Sequence, residues 1–143
     1  MKISTRPLSC ILLLAIFLFA CGKKSDTSEG SSDEWPEMDS FHMVMSDAYH
    51  PYKDSANVAP VKKLAEEMAL EAERWQGATL PSKVNNDAIK GQLEKLKVDA
   101  RALADQIKAG ATDEQIGASL TALHHSFHAI MEAWYGGGDG HKH

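Results

Sequence analysis

The sequence predicts an all-α protein folded as one up-down-up-down four-helix bundle. Apolar residues recur in steps of three and four along four segments, and helix-capping and helix-ending residues flank these segments. No stretch shows the apolar and polar alternation of a half-buried strand. The connections between the segments are short, so consecutive helices are expected to pack as antiparallel neighbours. In such a bundle the first and last helices also lie side by side in opposite directions.

The first helix is predicted to begin at Asp39 or Ser40, because either side chain can cap the exposed backbone amides. Pro51 disfavours helical geometry at His50, so the helix is expected to end or kink there after about three turns. Its apolar side consists of Phe41, Met45, Ala48 and Tyr49.

The next two helices have well-marked ends. The second is predicted over residues 60–75, with a proline in its first turn and Gly77 as its stop signal. Asn86 and Asp87 can cap the third helix, and Gly110 ends it. The apolar residues of the third helix follow steps of four and three without a break, which is typical of a helix in a bundle. They are Ile89, Leu93, Leu96, Ala100, Leu103 and Ile107.

The fourth helix begins with the pattern of a capping box, Thr112-Asp113-Glu114-Gln115. Its apolar residues again follow steps of four and three, which predicts a helix that packs along its whole length. They are Ile116, Leu120, Leu123, Phe127, Ile130 and Trp134. Three consecutive glycines at residues 136–138 then end the helix.

The N-terminal residues have the layout of a secretory signal. Lys2 and Arg6 precede the apolar run of residues 8–20, which is too short to span a bilayer comfortably. The segment Leu18-Phe19-Ala20-Cys21 resembles the lipobox of bacterial lipoproteins. This resemblance implies that the signal is removed and that Cys21, acylated with a chain such as palmitate, anchors the protein in a lipid bilayer.

The chain is thereby divided into four predicted parts. Residues 1–20 form the signal peptide, residues 21–38 a flexible lipidated tether, residues 39–135 the four-helix bundle, and residues 136–143 a Gly/His-rich disordered tail. Gly22 stands where some bacteria place an aspartate that retains lipoproteins at the inner membrane. The expected location is therefore the cell envelope, on the periplasmic face of the outer membrane.

The composition argues against several classes of function. The formal net charge is −5, and it becomes −7 when Lys2 and Arg6 leave with the signal, so nucleic acid is not an expected partner. Cys10 leaves as well and Cys21 is acylated, so a metal could be held only by nitrogen, oxygen or thioether ligands. The sequence offers no nucleophile with a base, no paired buried carboxylates and no Gly-rich phosphate loop, so an enzyme is not expected.

One short motif occurs in both the first and the last helix. Residues 41–45 and residues 127–131 share the pattern F-H-x-[V/I]-M, and a tyrosine follows at the same offset, at Tyr49 and Tyr135. A His and a Met three residues apart lie on the same side of a helix. Each copy therefore offers one imidazole and one thioether towards a common neighbour.

Antiparallel pairing of these helices is predicted to set His42 opposite Met131, and Met45 opposite His128. His124 lies one turn before His128, and two His residues at this spacing are a ready chelate for zinc, copper or nickel. Two His with two Met side chains favour copper, particularly Cu(I). The first hypothesis is therefore a transition-metal ion held by these five residues at the partly accessible edge of the bundle.

The placement of these candidates resembles that in the periplasmic b-type four-helix cytochromes, in which a Met of the first helix and a His of the last hold haem. The resemblance implies non-covalent haem b, an electron-transfer role, Met43 or Met45 as the first axial ligand, and His128 or His124 as the second. The sequence contains no C-x-x-C-H motif, which excludes covalent haem attachment.

A third hypothesis is a structural or interaction bundle without a ligand, whose protein partner the sequence does not identify. The segments Phe41-His42, His50-Pro51 and Leu123 to His128 are also loosely similar to F-H, H-P and L-H-x-x-F-H segments of uncharacterised exported bacterial proteins, which implies no activity. The weaker candidate ligands are His50, Met43, His141 and His143.

Overall fold

The computed structural model describes residues 34–136, and helices form most of this range. The helices are α1 (Pro36–Ser55), α2 (Ala59–Gly77), a short 3₁₀ helix (Ser82–Val84), α3 (Asp87–Lys108) and α4 (Asp113–Tyr135). No strand occurs between residues 34 and 136, and the predicted all-α four-helix bundle is confirmed. None of the helices in this range is both long enough and apolar enough to cross a membrane. The predicted signal peptide, Cys21 and residues 137–143 of the tail lie outside the described range.

Aromatic contacts define how α1 and α4 run. Trp35, next to the start of α1, packs against Trp134 at the end of α4, with ring centroids 5.3 Å apart. Further along, the rings of Phe41 and Phe127 are 5.5 Å apart. The contacts therefore move backwards along α4 as they move forwards along α1, so the two helices are antiparallel neighbours as predicted.

The predicted caps of the later helices are confirmed. The Asn86 side chain accepts a hydrogen bond of 3.0 Å from the backbone N–H of Ile89 at the start of α3. Thr112 and Gln115 form a reciprocal capping box at the start of α4. Gly136 ends α4 in the left-handed conformation, with φ of +73°, which a glycine adopts without strain.

The predicted start of α1 was wrong, and of the two outcomes predicted at His50, an end or a kink, the end does not occur. The helix begins at Pro36, so Asp39 and Ser40 lie inside it and do not cap it. It also does not end at His50, because it continues through Pro51 to Ser55. A proline removes one backbone hydrogen bond from a helix. The extra turn is nevertheless retained, since it carries the Tyr52 side chain that packs on α4.

One end of the bundle is filled by aromatic side chains from three helices and the residue before α1. The indole of Trp35 contacts that of Trp75 edge to face, with centroids 5.1 Å apart. Lys83, in the 3₁₀ helix, covers the outer side of this cluster, with its Nζ 3.4 Å from the centre of the Trp134 ring. The members of the cluster are Trp35, Phe41, Trp75, Phe127 and Trp134. Trp35, which the sequence analysis placed in the tether, therefore belongs to the core.

The α1–α4 interface also contains one close approach of a side chain to a helix backbone. A Cβ atom at Gly117 would lie 2.5 Å from two carbons of the Tyr52 ring, which is too close for any real contact. Gly117 is buried, and its missing side chain leaves the space that the ring occupies. The bare backbone at this position therefore lets the last turn of α1 pack on α4.

We predict that Trp35→Ala lowers the free energy of unfolding by about 3–5 kcal/mol, because it removes a large ring from a well-packed core. Urea unfolding measures the change. Met43→Ala on α1 is the control, since Met43 is 71% exposed and its truncation is expected to change stability by about 0.5 kcal/mol or less. Equal stability of the Trp35 variant and the parent protein would contradict the assignment of Trp35 to the core.

We predict opposite effects for two Gly-to-Ala substitutions inside helices. Gly91→Ala on α3 is expected to stabilise the protein by about 0.5–1 kcal/mol, because Ala favours helix and nothing lies within 4 Å of the added carbon. Gly117→Ala is expected to destabilise it by about 1–3 kcal/mol, because the new methyl group displaces the Tyr52 ring. Thermal unfolding of both variants measures the difference, and a stabilising effect at both positions would refute the close packing of Tyr52.

Candidate metal centre

Two imidazoles on α4 face each other at the edge of the bundle. His124 and His128 are one helical turn apart, and their Nε2 atoms are separated by 3.1 Å. Both side chains are half-buried. Two nitrogens bound to one tetrahedral zinc ion at about 2.0–2.1 Å each are about 3.3 Å apart. The observed separation is therefore close to that of a two-histidine chelate, and it also fits a hydrogen bond between the two rings.

A ring from α1 covers His124. The Tyr49 ring lies parallel to the His124 imidazole, with an interplanar angle of 10° and a centroid separation of 3.7 Å. This stack buries one face of the imidazole and joins the second half of α1 to α4. Because Tyr49 and His124 are opposite each other, the antiparallel pairing of the two helices determines which surface of α1 the histidine pair faces.

The surroundings of His124 keep its imidazole neutral. Its Nδ1 atom is buried and has no hydrogen-bond partner within residues 34–136. The pKa of His124 falls from 6.5 to about 4, first because burial disfavours the charged ring and then because of positive charge on neighbouring groups. These groups are His128 and His125 on α4 and Lys53 and His50 on α1. At neutral pH the ring therefore carries a free lone pair, as a metal ligand must.

The structure also places His42 at the α1–α4 interface. Its imidazole stacks on the ring of Phe127, with centroids 5.2 Å apart and an interplanar angle of 25°. Phe127 immediately precedes His128, whose imidazole meets the same phenyl ring edge-on at 5.7 Å. The two histidines that the repeated motif singled out therefore contact one common aromatic side chain.

The two predicted thioether ligands lie deeper than the histidines. Met45 is 1% exposed and Met131 is 7% exposed, and both belong to the hydrophobic core. Met43 lies on the side of α1 opposite Met45 and faces solvent. His50 and His125 are exposed. The weaker candidates His141 and His143 lie outside the described residues.

No set of three or more His, Cys, Asp or Glu side chains within residues 34–136 is arranged to hold a metal ion. Within this range the two α4 imidazoles are the side chains best placed to begin a metal site. Completing a coordination shell around them requires thioether ligands, solvent, or a histidine that moves towards them. His42 was predicted to supply such a ligand from α1.

Sequence reasoning gave Tyr49 no role at the site. The sequence did contain a signal that Tyr49 belongs with the motif, because this tyrosine follows the first copy at the same offset as Tyr135 follows the second. An antiparallel register that pairs residue 42 with residue 127 brings residue 49 close to the turn that carries His124. The register alone would have indicated the contact, but the parallel stacking of the rings depends on side-chain rotamers.

The low pKa of His124 predicts a specific pH dependence of stability. Above about pH 6.5 the ring is neutral in both the folded and unfolded states, and its titration changes nothing. Between about pH 6.5 and pH 4 the unfolded chain gains a proton that the folded chain does not accept, so stability falls as the pH falls. Because the ring is only half-buried, we expect a loss of about 1–2 kcal/mol over this window.

Urea unfolding at several pH values from 7 to 4.5 measures this loss. His124→Phe is the matched variant, since it keeps a flat ring beside Tyr49 and removes the titrating group. The stability of the parent protein minus that of the variant is expected to fall steadily as the pH falls, whichever protein is the more stable at pH 7. A difference that stays constant with pH would show that His124 titrates normally in the folded protein.

Comparisons with known proteins return no relative of this chain. No protein-family model matches it, and no curated protein and no solved structure matches it either.

Proposed function

We propose that this protein is a lipid-anchored envelope protein that binds one transition-metal ion between its first and last helices. His124 and His128 would form the primary chelate, and His42 would add a ligand from α1. Met45 and Met131 would assist if the ion is copper. The proposed role is binding rather than catalysis, and the net negative charge of the chain disfavours nucleic acid as a partner.

The observation that carries this proposal is the 3.1 Å separation of the two Nε2 atoms on α4. Neighbouring turns of one rigid helix hold both rings, so binding would require little reorganisation of the backbone. The low pKa of His124 leaves its imidazole unprotonated at neutral pH, which is the form in which a histidine binds a metal ion.

The surroundings of the pair favour copper among the candidate metals. The methionines of the repeated motif, Met45 and Met131, are buried in the core that underlies the histidine pair, and thioethers select Cu(I) over harder ions. The aromatic ring over His124 and the core beneath provide an apolar environment. A monovalent ion is less costly to bury in such an environment than a divalent one. Zinc and nickel remain the alternatives that a bare two-histidine chelate would accept.

The proposed lipid anchor would keep such a site close to a membrane. Thirteen residues lie between Cys21 and Trp35, which is fixed in the core. A chain of this length reaches at most about 50 Å when fully extended. The bundle would therefore capture or deliver its ion within a protein diameter or two of the bilayer surface.

We predict saturable binding of one metal ion per chain, together with higher thermal stability, because an ion that binds only the folded state stabilises it. The free energy of unfolding is expected to rise by about 2.7 kcal/mol at a free ion concentration one hundred times the Kd. Isothermal titration and thermal unfolding with Cu(I), Cu(II), Zn(II) and Ni(II) measure both effects. All proteins in the series carry His141→Ala and His143→Ala, so that the tail cannot contribute.

Single substitutions identify the ligands. His124→Ala and His128→Ala are each expected to weaken binding at least tenfold, and His42→Ala is expected to weaken it less. His125→Ala is the matched control, because this residue lies on the same helix, is exposed and is not a proposed ligand. Absence of binding by the parent protein would support a structural bundle instead, and a Soret band after addition of haem would support the cytochrome-like alternative.

A further inference from the structure

His124 differs from most histidines that bind metals in what surrounds its second nitrogen. Such a histidine usually donates its other N–H to a carboxylate, a carbonyl or water, and this hydrogen bond fixes the orientation of the ring. The Nδ1 of His124 is buried and has no such partner among the described residues. The Nε2 of His124 meets that of His128 at 3.1 Å on the same helix, and a contact from another helix must hold the plane of the imidazole when an ion takes the place of that bond.

The Tyr49 ring supplies that contact. Its plane is within 10° of the imidazole plane, and the two centroids are 3.7 Å apart. At this distance the aromatic face blocks rotation of the imidazole about its Cβ–Cγ bond, because the turning ring would collide with the tyrosine.

Tyr49 is itself held in place by two helices. It lies one residue after the buried Ala48 on α1, and its ring is 6.4 Å from that of Tyr52. Tyr52 in turn packs on the backbone of α4 at Gly117. A row of rings therefore extends along the α1–α4 interface up to His124, and each ring limits the movement of the next.

We infer that Tyr49 is a positioning residue for the metal ligand His124: its stacked ring replaces the usual hydrogen bond to Nδ1 and presents Nε2 to an ion shared with His128. This inference rests on the proposed function. An aromatic neighbour leaves the imidazole less basic than a carboxylate partner would. Tyr49 thus fixes the direction of the ligand without adding negative charge to the site.

Two substitutions at one position test this inference. Tyr49→Phe keeps the stacked ring and is expected to bind Zn(II) and Cu(I) within about twofold of the parent protein. Tyr49→Leu keeps an apolar side chain but loses the stack, and it is expected to weaken binding about tenfold, the lower end of what loss of such a neighbour costs. Circular dichroism confirms that each variant is folded at the titration temperature.

The same substitution in a second background separates positioning from a general effect on packing. When His124→Ala has already removed the ligand, Tyr49→Leu is expected to cause no further loss of the residual binding at His128. An equal tenfold loss in both backgrounds would overturn the inference, because Tyr49 would then act through something other than His124. The inference is supported if Tyr49→Leu weakens metal binding and Tyr49→Phe does not, and if this difference is seen only in proteins that retain His124.

NMR of the metal-free protein adds a readout that does not depend on binding. The ring protons of His124 are expected to be shifted upfield by the stacked tyrosine, to keep this shift in Tyr49→Phe, and to lose it in Tyr49→Leu. If the parent protein binds none of the ions, the proposed function and this inference both fail. If the parent protein binds an ion and Tyr49→Leu binds it equally well, only the inference fails.

Discussion

The antiparallel contact between α1 and α4, made largely by aromatic rings, is the constraint on which the rest of the structure depends. Trp35 meets Trp134 at one end, and Tyr52 occupies the space left by Gly117 towards the other. Between these two contacts the register of the helices has little freedom. It brings the Tyr49 ring onto His124, and any chemistry at the histidine pair depends on this register.

The histidine pair lies where the core meets the surface, and this position gives it its properties. Burial and the nearby positive charges hold the pKa of His124 at about 4, so its imidazole is neutral at physiological pH. The second imidazole, of His128, is close enough to share a proton or an ion. A fully exposed pair would remain close to its ordinary pKa, whereas a pair deep in the core would exclude the ion.

Periodicity and capping chemistry predicted most of the fold, because those signals are local. The capping box at Thr112 and the cap at Asn86 were read directly from adjacent residues. The errors arose where distant contacts outweighed local preference: α1 continues through Pro51, and Trp35 is buried rather than part of a tether. The repeated motif pointed to the two helices whose interface carries the Tyr49–His124 stack, but the stack itself depends on rotamers that no sequence pattern specifies.

The central claim is that the Nε2 atoms of His124 and His128 share one metal ion. Histidine-selective ¹H–¹⁵N NMR during a zinc titration tests it most directly, since it reports each ring nitrogen separately. We expect the Nε2 signals of both residues to move together and to stop moving at one equivalent of zinc, while those of His125 stay unchanged. Shifts confined to His141 and His143, or no shift in any imidazole, would contradict the claim.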